Sequence, residues 1–114
     1  AGVRTVCPGC TVLVDYAGTT PAAFADPAAG LRLASAQYDA GADIIFHASG
    51  GTGQGVFQAA RERGRFVIGV DRDQYAEAPG RVLTSMTKSI DVAVFDAIQR
   101  LHDGTLTGGL ISLG

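Results

Sequence analysis

The sequence predicts an α/β domain, three-layered and doubly wound around a mainly parallel sheet. Short apolar, β-branched runs alternate with segments of helical spacing about every twenty residues along the chain. The runs are almost continuously apolar, as in strands covered on both faces. Glycine or proline punctuates nearly every junction between them. A chain of 114 residues suits one such domain, residues 1–114, and contains no internal repeat, low-complexity stretch or interdomain linker.

Thr11 to Tyr16 (TVLVDY) reads as the first strand, closed by the turn residues Ala17 to Pro21. Asp26 before Pro27 supplies an N-cap and a proline at the first helical position. Ala28, Leu31, Ala34 and Tyr38 then recur at helical spacing until Gly41, which predicts a helix over 27–40. Asp43 to Ala48 (DIIFHA) is a second strand, followed by the glycine-rich Gly50 to Gly55, with Thr52 placed to cap the helix behind it. In that helix Val56, Phe57 and Ala60 share a face opposite Arg61, Glu62 and Arg63, and Gly64 ends it. Arg65 to Val70 (RFVIGV) is a third strand that delivers Asp71. Val82 to Met86 (VLTSM) is a fourth that delivers Lys88, the turn-prone Ala78-Pro79-Gly80 lying between them. Ser89 is placed to cap a last helix with an apolar stripe of Val94, Ala97, Ile98 and Leu101, and with Arg100 and His102 toward its negative end. Gly109 to Leu113 reads as a short final strand.

Composition narrows the function. With 46% hydrophobic and 18% charged residues a packed interior is expected rather than a disordered chain. The net charge of -2, with no run of Lys or Arg, lacks the basic footprint that holds a phosphate backbone, so nucleic acid is not an expected partner. No apolar run reaches the roughly 20 residues needed to cross a bilayer, the start AGVRTV has no signal-peptide layout, and the segment as given is expected to be soluble. It opens without Met, as a processed or excised piece with a targeting segment upstream would. Cys7 and Cys10 form a lone CPGC with no second pair or histidine cluster to complete a metal site, and the motif does not open a helix as a redox pair would. A structural loop disulfide and two idle thiols are the readings left open. No metal and no cofactor are expected.

In open parallel sheets ligands bind beyond the carboxyl ends of the strands, where loops and helix N-termini converge. Here that rule selects Phe24, the Ser49 to Gly53 turn, Asp71 and Lys88. The turn resembles a nucleotide loop only loosely: GK[ST] is absent, and Gly51, Gly53 and Gly55 are too evenly spaced for G-x-G-x-x-G. Ligand contact and a plain tight turn both fit. Asp71, twenty positions after Gly51, stands where a dinucleotide fold puts the carboxylate that grips ribose hydroxyls, and a carboxylate can accept two such bonds. Asp73 better suits bracing the loop. Lys88 can pair with Asp71 and offer its own donors to a hydroxyl, or stand solvated before its helix. Phe24, without periodicity to place it, can stack on a flat ligand or plug the core. His47 reads as a buried, hydrogen-bonded imidazole, because no nucleophile and orienting partner can be argued around it, and Ser49 lacks the G-x-S-x-G elbow. An enzyme is therefore not expected. A small flavodoxin-like or dinucleotide-binding enzyme domain, and a half-domain without ligand, are the alternatives to a binding lobe.

The stretches GADIIFHASGGTGQGVFQAA and FVIGVDRDQYAEAPGRVLTSMTKSIDVAVFDAI closely resemble the basic membrane protein family, with GVDxDQ, PGxVLTSMxK and DVAV in family order. The resemblance implies one lobe of a type I periplasmic-binding-protein-like fold, from a bilobed extracytoplasmic lipoprotein, anchored at the membrane, that delivers nucleosides to an ABC permease. It implies that Asp71 and Lys88 hold ribose hydroxyls, that Gly50 and Gly51 lie against the sugar, and that Phe24 stacks on the base. Two departures are GTTPAAFADP in place of a shorter GSFxDP, and Arg72 in place of a small residue. The chain resembles about a third of a member, mostly its second lobe, and loss of the first lobe would remove the base-reading groups and the hinge. It would also expose the cleft face, through which a homodimer could form.

Overall fold

The computed structural model describes residues 2–111. A short helix α1 (Gly2–Val6) precedes the Cys7–Cys10 disulfide, which settles the CPGC question in favour of a bonded loop. Helix α2 covers Pro27–Asp39, strand β1 Ile44–Phe46, helix α3 Gly53–Arg63, strand β2 Phe66–Asp71, strand β3 Val82–Thr87 and helix α4 Ile90–His102. The three strands form a parallel sheet in the order β1-β2-β3, the α/β class expected.

The element ends follow local chemistry. The Asp26 carboxylate accepts the Ala29 N–H at 2.9 Å, and Pro27 starts α2 where its missing N–H costs nothing. Gly64 ends α3 in the left-handed conformation, φ 63°, at no steric cost. Ser89 stands at the N-cap of α4 but makes no side-chain capping bond.

One core joins the layers: Ala34 and Tyr38 of α2, Val56, Phe57, Ala59 and Ala60 of α3, and Ile45, Val67 and Val82 of the sheet. Tyr38 threads its hydroxyl to the Phe66 carbonyl at 2.7 Å, and burial pushes that phenol up to about 12. The helices meet through glycine. A Cβ on Gly55 would lie 1.9 Å from the Pro27 carbonyl oxygen and 2.3 Å from the Leu31 nitrogen, and one on Gly30 would lie 2.1 Å from the Thr52 carbonyl oxygen. Only hydrogen fits at either place.

Two expectations are corrected. Thr11 to Tyr16 forms no strand; it is irregular and exposed, held to α2 by a bond from Gln37 Nε2 to Asp15 Oδ2 at 2.7 Å. Its consecutive apolar residues Val12, Leu13 and Val14 would face both sides of a sheet, which is favourable only where both sides are covered. Here burial is one-sided: Ile44, Phe46 and Phe66, on the side away from the core, are exposed, and α4 contains no buried residue. The radius of gyration is 17.3 Å, against about 13 Å for a closely packed chain of roughly 100 residues. The final strand is also absent over residues 109–111; the rest of that expected strand lies outside the described residues.

The crossing predicts a sharp contrast between two Gly→Ala changes. Gly55→Ala should cost about 1–3 kcal/mol or more in urea unfolding, whereas Gly108→Ala, with nothing within 4 Å of its added Cβ, should stay within about 0.5 kcal/mol.

Candidate functional site

The selected residues gather at the carboxyl ends of the strands in two groups. Lys88 Nζ lies 2.7 Å from Asp71 Oδ1, and the Lys88 backbone N–H donates to the Asp71 carbonyl at 2.9 Å. The pairing follows from register, since Asp71 and Thr87 are opposite one another on adjacent strands. The Asp71 and Lys88 side chains are about half exposed (50% and 56%), so their remaining acceptor and donor capacity faces solvent. Asp71 has a φ of 70° and is the one described non-glycine residue in that region. Asp73 braces the loop as expected, accepting the Tyr75 N–H at 2.9 Å. Arg72 is taken up by the Glu77 carboxylate and the Asp73 carbonyl, and its guanidinium holds the Glu77 carboxyl below the usual range.

The second group is Phe24 with Gly50 and Gly51. Phe24 ends a 3₁₀ turn over Pro21–Phe24 and is 58% exposed, so it does not plug the core. Gly50 opens the next 3₁₀ turn at φ 55°. A Cβ on Gly50 would come within 3.3 Å of the Phe24 carbonyl oxygen and 3.4 Å of its Cβ, and one on Gly51 within 3.1 Å of that oxygen. The two glycines therefore let the Phe24 loop lie directly on the turn.

Thr52, read as a helix cap, does something else. Its hydroxyl makes no capping bond; it donates to the Ala23 carbonyl at 2.6 Å and accepts the Asp26 N–H at 2.8 Å. At 1% exposure it is the buried clasp between the Phe24 loop and the glycine turn.

Between the groups sits His47, 4% exposed and hydrogen-bonded as expected. Its Nε2 is 3.0 Å from Gln74 Oε1 and its Nδ1 is 3.3 Å from Ser49 Oγ, and its ring meets Phe57 edge-on at 5.0 Å. Burial holds its pKa below the ordinary value, against smaller opposing contributions from the Gln74 bond and the Asp71 charge. Gln74 was not picked out by spacing, because an amide after a strand end carries no pattern of its own. Neither of the two surface depressions described includes any of Phe24, Gly50, Gly51, Asp71 or Lys88. All five residues are exposed. No group of three or more His, Cys, Asp or Glu side chains suited to a metal occurs among the described residues.

Over residues 1–114 the chain matches the family described as ABC transporter substrate-binding protein PnrA-like. It belongs to that family. It is similar to the CD4+ T-cell-stimulating antigen of Listeria monocytogenes, with 41% identity over 96% of this chain and 34% of that protein. It is also similar to the ABC transporter nucleoside-binding protein BmpA of Lactococcus lactis, with 34% identity over 97% of this chain and 35% of that one. Among solved structures, an ABC transporter solute-binding protein from Aeropyrum pernix superposes with a TM-score of 0.68 at 35% identity, covering 78% of this chain and 25% of that one. The chain thus spans about a third of the length of these curated relatives.

Two outcomes follow. Thr52→Val should lose about 1–3 kcal/mol by leaving the Ala23 carbonyl and Asp26 N–H without their partner, while Thr52→Ser should lose little; urea unfolding compares them. For His47 the folded pKa is depressed, so the unfolded chain takes up the proton first. Stability should then be full above the ordinary value of 6.5 and decline as pH falls below it until the folded imidazole titrates too. Thermal melting between pH 5 and about 7 reads this slope, which His47→Gln should abolish.

Proposed function

We propose that this segment is a ligand-binding lobe for nucleosides within an ABC transporter substrate-binding protein, and that it binds without catalysing a reaction. The observation that carries the proposal is the Asp71–Lys88 pair, set 2.7 Å apart at the ends of neighbouring parallel strands with half of each side chain open. A carboxylate and an ammonium so placed can accept from and donate to vicinal hydroxyls through charge-assisted bonds, which fits a ribose. The exposed Phe24 ring supplies a stacking wall for a base, and the Gly50-Gly51 turn supplies a floor without side chains. The Lactococcus lactis relative, described as nucleoside-binding, supports the same ligand class.

On this reading a second lobe faces the site and closes over the ligand, and an ABC permease receives it. The family membership supports an extracytoplasmic, membrane-anchored lipoprotein as the whole protein. No helix among the described residues is long and apolar enough to cross a membrane.

Titration calorimetry of the full-length chain with adenosine, guanosine and inosine tests the proposal. Binding is expected for at least one of them, with Asp71→Ala weakening it at least about tenfold and Asp73→Ala changing it little, because only the first removes charge-assisted bonds. Absence of heat with all three nucleosides overturns the reading.

A further inference from the structure

Asp71 owes its place to side chains that do not face the open surface. Its left-handed backbone is enclosed in a three-residue turn, the Arg72 N–H reaching back to the Val70 carbonyl at 2.8 Å. The side chain of Gln74 closes a wider loop around that turn. Its Oε1 accepts the Val70 N–H at 2.7 Å, and its own backbone N–H donates to Ser85 Oγ at 3.1 Å on the neighbouring strand. Gly69 leaves room for this: a Cβ there would lie 2.5 Å from Ser85 Oγ and 2.9 Å from Gln74 Cβ.

The polarity of the cluster is fixed by elimination. A backbone N–H can only donate, so the Gln74 atom facing Val70 is the amide oxygen. An amide oxygen cannot donate, so His47 Nε2 carries the proton that points at it. Nδ1 is then the lone pair, and Ser49 supplies the hydroxyl proton to it. Ser49 directly precedes the Gly50 turn, and a Cβ on Gly53 would come within 2.2 Å of the His47 ring, so the imidazole is seated under the start of α3. The relay Ser49, His47, Gln74, Val70 thereby runs without a break from the Phe24 and glycine group to the Asp71 and Lys88 group.

We propose that Gln74 and His47 are positioning residues that hold the Asp71 carboxylate in register with the glycine-turn wall, so that the two groups present one binding face. The proposal rests on the nucleoside reading above. Neither residue is expected to touch the ligand, since both are buried behind the strand ends. What they supply is orientation. The turn keeps Asp71 at a positive φ that few non-glycine residues adopt, and a small drift of a carboxylate loses the geometry of a two-hydroxyl grip.

The test measures, in the full-length chain, melting temperature and affinity for whichever of adenosine, guanosine and inosine the unmodified chain binds most tightly. Gln74→Met keeps the volume and removes the acceptor; Gln74→Glu keeps the acceptor for both Val70 and His47. Expected are about tenfold weaker binding for Gln74→Met, the scale of one lost hydrogen bond, and recovery to within about threefold for Gln74→Glu. Wild-type affinity in Gln74→Met, alongside lost binding in Asp71→Ala, overturns the positioning role and leaves the nucleoside reading standing. A loss that follows melting temperature and is not recovered by Gln74→Glu also overturns it, since packing alone would then account for the effect. Should Gln74→Met fail to fold, Gln74→Asn, one methylene too short to reach both donors, takes its place with the same expected loss and the same overturning result. An unmodified chain that binds none of adenosine, guanosine and inosine sinks both proposals together.

Discussion

The arrangement depends on how closely α2 and α3 approach. Gly55 stands against the Pro27 carbonyl and Gly30 against that of Thr52, and neither contact leaves room for a methyl group. Because the helices sit this near, the residue between the turn and α3, Thr52, falls within reach of the loop that leads into α2. Its one hydroxyl then serves both Ala23 and Asp26. Phe24 is thus placed by a backbone-to-backbone contact between two helices, several residues from its own side chain. A wider crossing would release the clasp and the aromatic with it.

The sheet plays the complementary part. Parallel pairing brings Asp71 opposite Thr87, one residue before Lys88, so the ion pair arises from register. The same pairing leaves the side opposite the core bare, with Ile44, Phe46 and Phe66 exposed, and the apolar residues Ile90, Val94, Phe95, Ile98 and Leu101 of α4 are exposed as well. The irregular Thr11 to Tyr16 segment and the uncovered α4 contain no buried residue, and local stability is expected to be low there.

How much of this could be read from the sequence differs by residue. Asp26-Pro27 and Gly64 declared their helix ends because caps act within one turn and need no tertiary partner. Asp71 and Lys88 were legible because strand ends in a parallel sheet converge wherever the strands are. Thr52 misled for the same local reason: a threonine before a helix looks like a cap, but its hydroxyl found better partners 26 and 29 positions away. Gln74 left no trace, since its role depends on Gly69 of β2, Ser85 of β3 and His47 just beyond β1 all meeting it. Thr11 to Tyr16 had the composition of a strand and lacked the covered second face that makes such a strand worthwhile.

The exposure of the ion pair bears on what it is for. With half of each side chain in water, the attraction between Asp71 and Lys88 is largely screened, and surface pairs of this kind contribute only about 0–1 kcal/mol to folding. Stability alone therefore gives little reason to hold Asp71 at a positive φ with a buried amide, a buried imidazole and a backbone turn closed around it. On the proposed reading the same pair would gain strength as a ligand and an opposing surface displaced the water, because its bonds to hydroxyls would form in a medium of lower dielectric. On that reading, a buried support of this extent beneath a weak ion pair is what a face closed over by a ligand and a second lobe would require.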